Sequence, residues 1–87
     1  MKAIKRICEM EAILDKANYL MDINSDELED FRPEIEKLEA YYTSRQWKYD
    51  FALDEAGKLP ADLKRGVLSE DAVYNMLERY KAYGREE

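Results

Sequence analysis

Histidine is absent from this chain of 87 residues, which removes the commonest general base and the usual partner of a serine or cysteine nucleophile. The only cysteine, Cys8, can form no internal disulfide and has no second thiol or imidazole with which to complete a zinc site. Three glycines and two prolines are too few for a loop-rich, collagenous or low-complexity chain. No apolar run approaches membrane-spanning length, and the N-terminus opens in charged, amphipathic sequence without the apolar core of a signal peptide. These shortages point to a reduced, cytoplasmic, non-enzymatic protein with no membrane segment. Basic residues are outnumbered as well: 14 Lys and Arg stand against 20 Asp and Glu, a net charge of −6. Nucleic-acid binders rely on a basic stripe to displace counterions, so direct DNA or RNA binding is not expected.

What the chain does have is hydrophobic and charged residues in nearly equal measure, 46% and 39%. Its best-ordered pattern is an apolar heptad repeat: Ile7, Met10, Leu14, Ala17, Met21, Asn24, Leu28, Phe31, Ile35, Leu38, Tyr42. Spacings alternate between three and four, and Asn24 is the one polar member, so Lys2 to Thr43 reads as helix with a long packing seam. As one straight helix this segment would be about 60 Å long at ~1.5 Å per residue, too long for a compact chain of this size to cover. A homodimer would cover it, and so would a fold-back. One break point is Ile23 to Asp26, where Asn24 suits a left-handed helix end and Ser25 a cap; the other is Asp30 to Pro33, with Pro33 in a first turn capped by Asp30. Because the heptad phase runs through both places, the expectation is a continuous helix bent at Pro33.

Tyr41 to Leu53 is rich in aromatics, and its spacing fits both a strand and a helix. With no convincing second strand to pair with, it is expected as a short helix or irregular helical turn. Gly57 should stop it, and Pro60 to Arg65 should form a helical turn ended by Gly66. A last helix is expected from Glu70 to Tyr83, capped by Ser69, with Glu70 and Asp71 in its first turn, a staple of Leu68 on Val73, and a stripe of Val73, Leu77 and Tyr80. Arg79 and Lys81 suit its end, and Gly84 should stop it. The whole is one all-α domain over residues 1–87.

The run Leu59-Pro60-Ala61-Asp62-Leu63-Lys64-Arg65-Gly66-Val67-Leu68-Ser69-Glu70-Asp71, with Leu38 to Tyr42, Trp47 and the opening Ile7 to Glu11, resembles a bacterial family, the domain of unknown function 4298. The resemblance implies a bacterial, cytoplasmic helical protein and carries over no functional residue.

Among candidate sites, carboxylate pairs such as Glu27/Asp30 and Glu36/Glu39 lack the Glu-x-x-His element of di-iron bundles and read as solvated charge. Gly57-Lys58 lacks the rest of a phosphate loop. Cys8, beside Ile7, is expected to be a partly buried apolar residue. No metal or cofactor is expected. The charge is uneven, however, with seven carboxylates from Asp26 to Glu39 against Arg32 and Lys37, and a basic group of Lys58, Lys64 and Arg65 later in the chain. Glu29, Asp30, Glu34, Glu36, Trp47, Lys64 and Arg65 are therefore the candidate interaction surface, and the expected role is protein association or assembly. The alternative is an acidic inhibitor that imitates nucleic acid in the basic groove of a partner.

Overall fold

In the computed structural model, which describes residues 2–69 and 71–84, the chain is helical with no strand among the described residues. The helices are α1 (Lys2–Asp22), α2 (Glu27–Asp30), α3 (Arg32–Tyr42), α4 (Arg45–Glu55) and α5 (Ala72–Gly84), with a 3-10 turn at Gly66–Leu68 before α5. The principal extents are 44 × 21 × 18 Å.

The long helix is not continuous. The chain reverses after α1, and α3 packs back along it. The reversal is made by Asn24, which adopts the left-handed conformation at φ 58°. Around it the Ser25 N–H donates to the Leu20 carbonyl (3.0 Å) and the Asn24 N–H to the Met21 carbonyl (3.2 Å). These two bonds are the Schellman pattern, which satisfies carbonyls that a helix end would otherwise leave bare. Asp26, not Ser25, holds the cap position of α2 and makes no side-chain bond there; Ser25, one residue earlier, accepts the Glu27 N–H on its Oγ at 3.1 Å. The second weak point is also used: helix is interrupted at Phe31, and Pro33 sits in the first turn of α3, where its missing N–H costs little. Asp30 closes α2 and does not cap α3; Phe31 holds that position without a side-chain bond.

The seam survives the reversal because α1 and α3 each need one buried stripe, and here they supply it to each other. Ile7, Met10, Leu14, Ala17 and Met21 of α1 share one cluster with Leu28, Ile35 and Leu38, while Asn24 lies exposed in the turn. The heptad seam is thus buried within a single chain. Leu59, Val67 and Leu68 and the α5 residues Val73, Met76 and Leu77 complete the core. Met76, 2% exposed, belongs to the α5 stripe in addition to the residues its periodicity singled out.

The aromatic segment is divided between two helices: Tyr41 and Tyr42 end α3, and Trp47, Tyr49 and Phe51 lie in the regular helix α4. Ser44, in extended conformation, caps it by accepting the Trp47 N–H at 3.3 Å. Gly57 stops it at φ 70°, with Lys58 donating to the Leu53 carbonyl and Gly57 to that of Asp54, both at 3.0 Å, a second Schellman pattern. The helical turn expected over Pro60 to Arg65 does not form. A single bond from the Leu63 N–H to the Pro60 carbonyl (3.2 Å) makes an isolated turn, and Gly66 opens the 3-10 turn where it was expected to end a helix. Helix α5 begins at Ala72, two residues later than expected; the Ser69 Oγ accepts the Asp71 N–H at 3.3 Å, and Glu70 lies outside the described residues.

Candidate functional site

Three parts of the molecule gather polar chemistry: a buried ionic clamp, an exposed acidic ridge and a groove beside α1.

The clamp centres on Asp50, the only polar residue of α4 that is fully buried (0% exposed). Arg6 of α1 grips its carboxylate with two bonds, Nε to Oδ2 at 2.9 Å and Nη2 to Oδ1 at 2.5 Å. The Tyr41 hydroxyl of α3 donates to the same Oδ2 at 2.7 Å. The hydrogen bond to Asp50 raises the Arg6 pKa above its ordinary value, and burial, reinforced by the bond to Asp50, raises that of Tyr41 well above the usual phenol range. An interior carboxylate needs such donors, because an unpaired charge away from water is costly. With three donors on it and no exposure, Asp50 acts as a tie between α1, α3 and α4.

A second tie holds one residue, Val67, by both its N–H and its carbonyl. Glu11, 9% exposed, accepts the Val67 N–H on Oε1 at 3.0 Å, and the Trp47 indole N–H donates to the Val67 carbonyl at 2.8 Å. Trp47 also stacks on Phe51 (centroids 5.1 Å apart, planes at 20°) and meets Tyr42 edge-on at 5.4 Å. Although singled out as an interaction residue, it is half-buried and fastens the 3-10 turn to α4.

The ridge is formed by Asp26, Glu27, Glu29, Asp30, Glu34, Glu36 and Glu39, all exposed on α2, on α3 or just before them. The ion pairs of the described residues lie elsewhere, at Arg6–Asp50, Lys64–Asp15, Arg65–Asp54, Arg79–Asp22 and Lys81–Glu78. The candidate basic residues do not meet the ridge. Lys64 reaches Asp15 of α1 at 3.4 Å, and Arg65 is half-buried against Asp54 of α4, with a longer bond (3.4 Å) to the Ala61 carbonyl. Glu29, Asp30, Glu34 and Glu36 are thus exposed on α2 and α3 without an ion pair to another described residue, whereas Trp47 and Arg65 are half-buried in contacts of the fold and Lys64 reaches α1.

The groove, of about 460 Å³, runs between the N-terminal half of α1 and the Pro60 to Lys64 segment. Cys8 lines it and is exposed, contrary to the burial expected from its neighbour Ile7. One residue along a helix is a rotation of about 100°, enough to carry Cys8 off the seam and onto the outer face. Among the described residues no three carboxylate or thiol side chains converge as a metal site requires, and no helix is long and apolar enough to cross a membrane.

Asp50 and Glu11 were not anticipated as key residues. Asp50 lies between Tyr49 and Phe51 in an aromatic run, and a polar residue there at helical spacing from buried positions was the only available signal. Glu11 follows Met10 directly and is one residue from Ala12, with nothing to separate it from the solvated acids.

No curated protein and no solved structure matches the chain. A family model described as Domain of unknown function (DUF4298) does match, over residues 7–85, and the chain belongs to that family.

Proposed function

We propose that this chain is a non-enzymatic protein–protein interaction or assembly module of the bacterial cytoplasm, docking a basic partner through the carboxylates of α2 and α3. The observation that supports this reading is the division of labour among the charges. Interior ionisable groups are committed to holding helices together, as in Arg6, Asp50 and Tyr41, whereas the seven carboxylates of the ridge are exposed and make no ion pair with another described residue. Seven carboxylates against only Arg32 and Lys37 in the same stretch leave a local excess of negative charge, which speeds encounter with an oppositely charged surface. The two hydrogen-bonded ties also hold α1, α3 and α4 in fixed relation, so the ridge is presented on a rigid support.

The test is affinity capture of the tagged chain from a native-host lysate, with proteins and nucleic acids both identified, beside a variant carrying Glu29→Gln, Asp30→Asn, Glu34→Gln and Glu36→Gln. A stoichiometric basic partner, lost with the variant while helicity is unchanged, is the expected result. Equal recovery with both proteins would remove the ridge from the mechanism. The second reading, an inhibitor that imitates nucleic acid, draws on the same ridge. It requires the captured protein to be a nucleic-acid binder, released by competing nucleic acid and with affinity falling steeply as salt rises.

A further inference from the structure

The groove beside α1 shares no residue with the ridge, and its lining has a definite chemical character. Its floor is apolar: Ile4, Cys8 and Ala12 form an i, i+4 ladder on the outer side of α1, opposite Pro60 and Leu63. Its walls are acidic, with Glu11, Asp15 and Asp62 set against the single cation Lys64. Glu11 is nine-tenths buried, and its carboxylate is fixed by the Val67 N–H. Lys64 does little to neutralise these groups. Its contact with Asp15 is long, 3.4 Å, and both side chains are more than half exposed (77% and 55%), so the pair is weak and easily exchanged.

We propose that this groove is a docking site for a partner segment that carries an aliphatic side chain beside a lysine or arginine. The argument is charge complementarity around an apolar floor. A neutral apolar occupant would cover Asp15 and Asp62 and strip their water without replacing it, and an anionic one would add repulsion. An aliphatic side chain against Cys8, Ala12 and Leu63, with a cationic head between Asp15 and Asp62, satisfies both the floor and the walls. The volume lies within the roughly 300–1,000 Å³ common for binding sites, but the groove is open along its outer side, which suits a peptide that continues past both ends better than an enclosed small molecule.

Cys8, on the floor, provides the test, because a disulfide tether turns a weak contact into a measurable equilibrium. The protein is equilibrated at physiological salt in 2-mercaptoethanol with three acetylated, amidated tripeptides, Cys-Leu-Arg, Cys-Leu-Glu and Cys-Gly-Arg, each supplied as its disulfide with 2-mercaptoethanol, so that the Cys8 thiolate displaces 2-mercaptoethanol as the leaving thiol. Intact-mass spectrometry reads the mixed disulfide formed at Cys8. The expected result is capture of Cys-Leu-Arg about tenfold above either of the other two, the size of one good local interaction. That preference should vanish in A12R, which fills the groove, and in D62K, which inverts its wall; both positions are exposed, and circular dichroism checks that each variant stays folded. The variant with the four ridge carboxylates neutralised should keep the preference, which separates this proposal from the ridge. Equal capture of the three peptides would overturn the proposal. So would a preference that survives A12R and D62K, or one that is lost with the ridge, since either would reflect the net charge of the protein and not the groove. A Cys8-linked dimer exceeding all mixed disulfides would name a second copy of the chain as the occupant, and would overturn the proposal as well.

Discussion

Replacing Asp50 by alanine removes the one carboxylate on which three helices converge. Two groups lose their partner at once. The Tyr41 hydroxyl, in a residue only 4% exposed, is left without its acceptor, at a cost of about 1–3 kcal/mol. Arg6 loses both its bonds, but its side chain is 21% exposed and can turn part of its charge toward water, so its share falls below the ~3–5 kcal/mol of a broken, fully buried pair, to about 1 kcal/mol. The sum is about 3 kcal/mol. A chain of this length has a total stability on the order of 9 kcal/mol at roughly 0.1 kcal/mol per residue, so D50A should remain folded with Tm lowered by about 15 °C, at roughly 5 °C per kcal/mol. Urea unfolding followed by Trp47 fluorescence and far-UV circular dichroism measures the loss, with an unchanged m-value showing that the folded and unfolded states keep their compactness. Substituting all three partners, as in R6M, D50L and Y41F together, should cost less than D50A alone, because no orphaned polar group is then left inside. A loss below about 1 kcal/mol for D50A, or a triple variant worse than the single one, would refute the description of this cluster as a tie.

Three further outcomes follow from the geometry. The Tyr41 pKa is raised in the folded state from an unfolded value near 10, so its contribution is fully present below that pH and is lost as pH rises toward the folded value; urea midpoints should fall more steeply above pH 10 in the wild type than in Y41F. Asn24 sits at φ 58°, where glycine is at ease and a Cβ is strained, so N24G should be neutral or stabilising by a few tenths of a kcal/mol and N24A destabilising by about 1 kcal/mol in thermal melts. In G66A the new Cβ would meet the Glu11 carboxylate oxygens at 3.0 and 3.2 Å, so Glu11 must shift and slacken its bond to the Val67 N–H; a loss of about 1–2 kcal/mol is expected, and an E11Q background should feel the substitution less.

Local sequence determined the helices and most of their ends. The apolar stripe of α1, the Ser44 cap, the stops at Asn24 and Gly57 and the tolerance of Pro33 at a first turn are all short-range effects, decided by residues within a turn or so of one another. That the heptad seam would be buried was also legible. What buries it was not, because a repeat specifies which face is apolar and says nothing about whether the opposing face belongs to another molecule or to the same chain a turn later. The phase continuing through Asn24 favoured an unbroken helix on paper; the left-handed end and the chance to pack Ile35 and Leu38 onto α1 settled the fold-back. The roles of Asp50, Glu11 and Trp47 likewise depend on partners 9 to 56 residues away. In the linear chain each resembles many other acids or aromatics, and only the packing of α1, α4 and the 3-10 turn around them makes two buried carboxylates and one indole the ties of the fold.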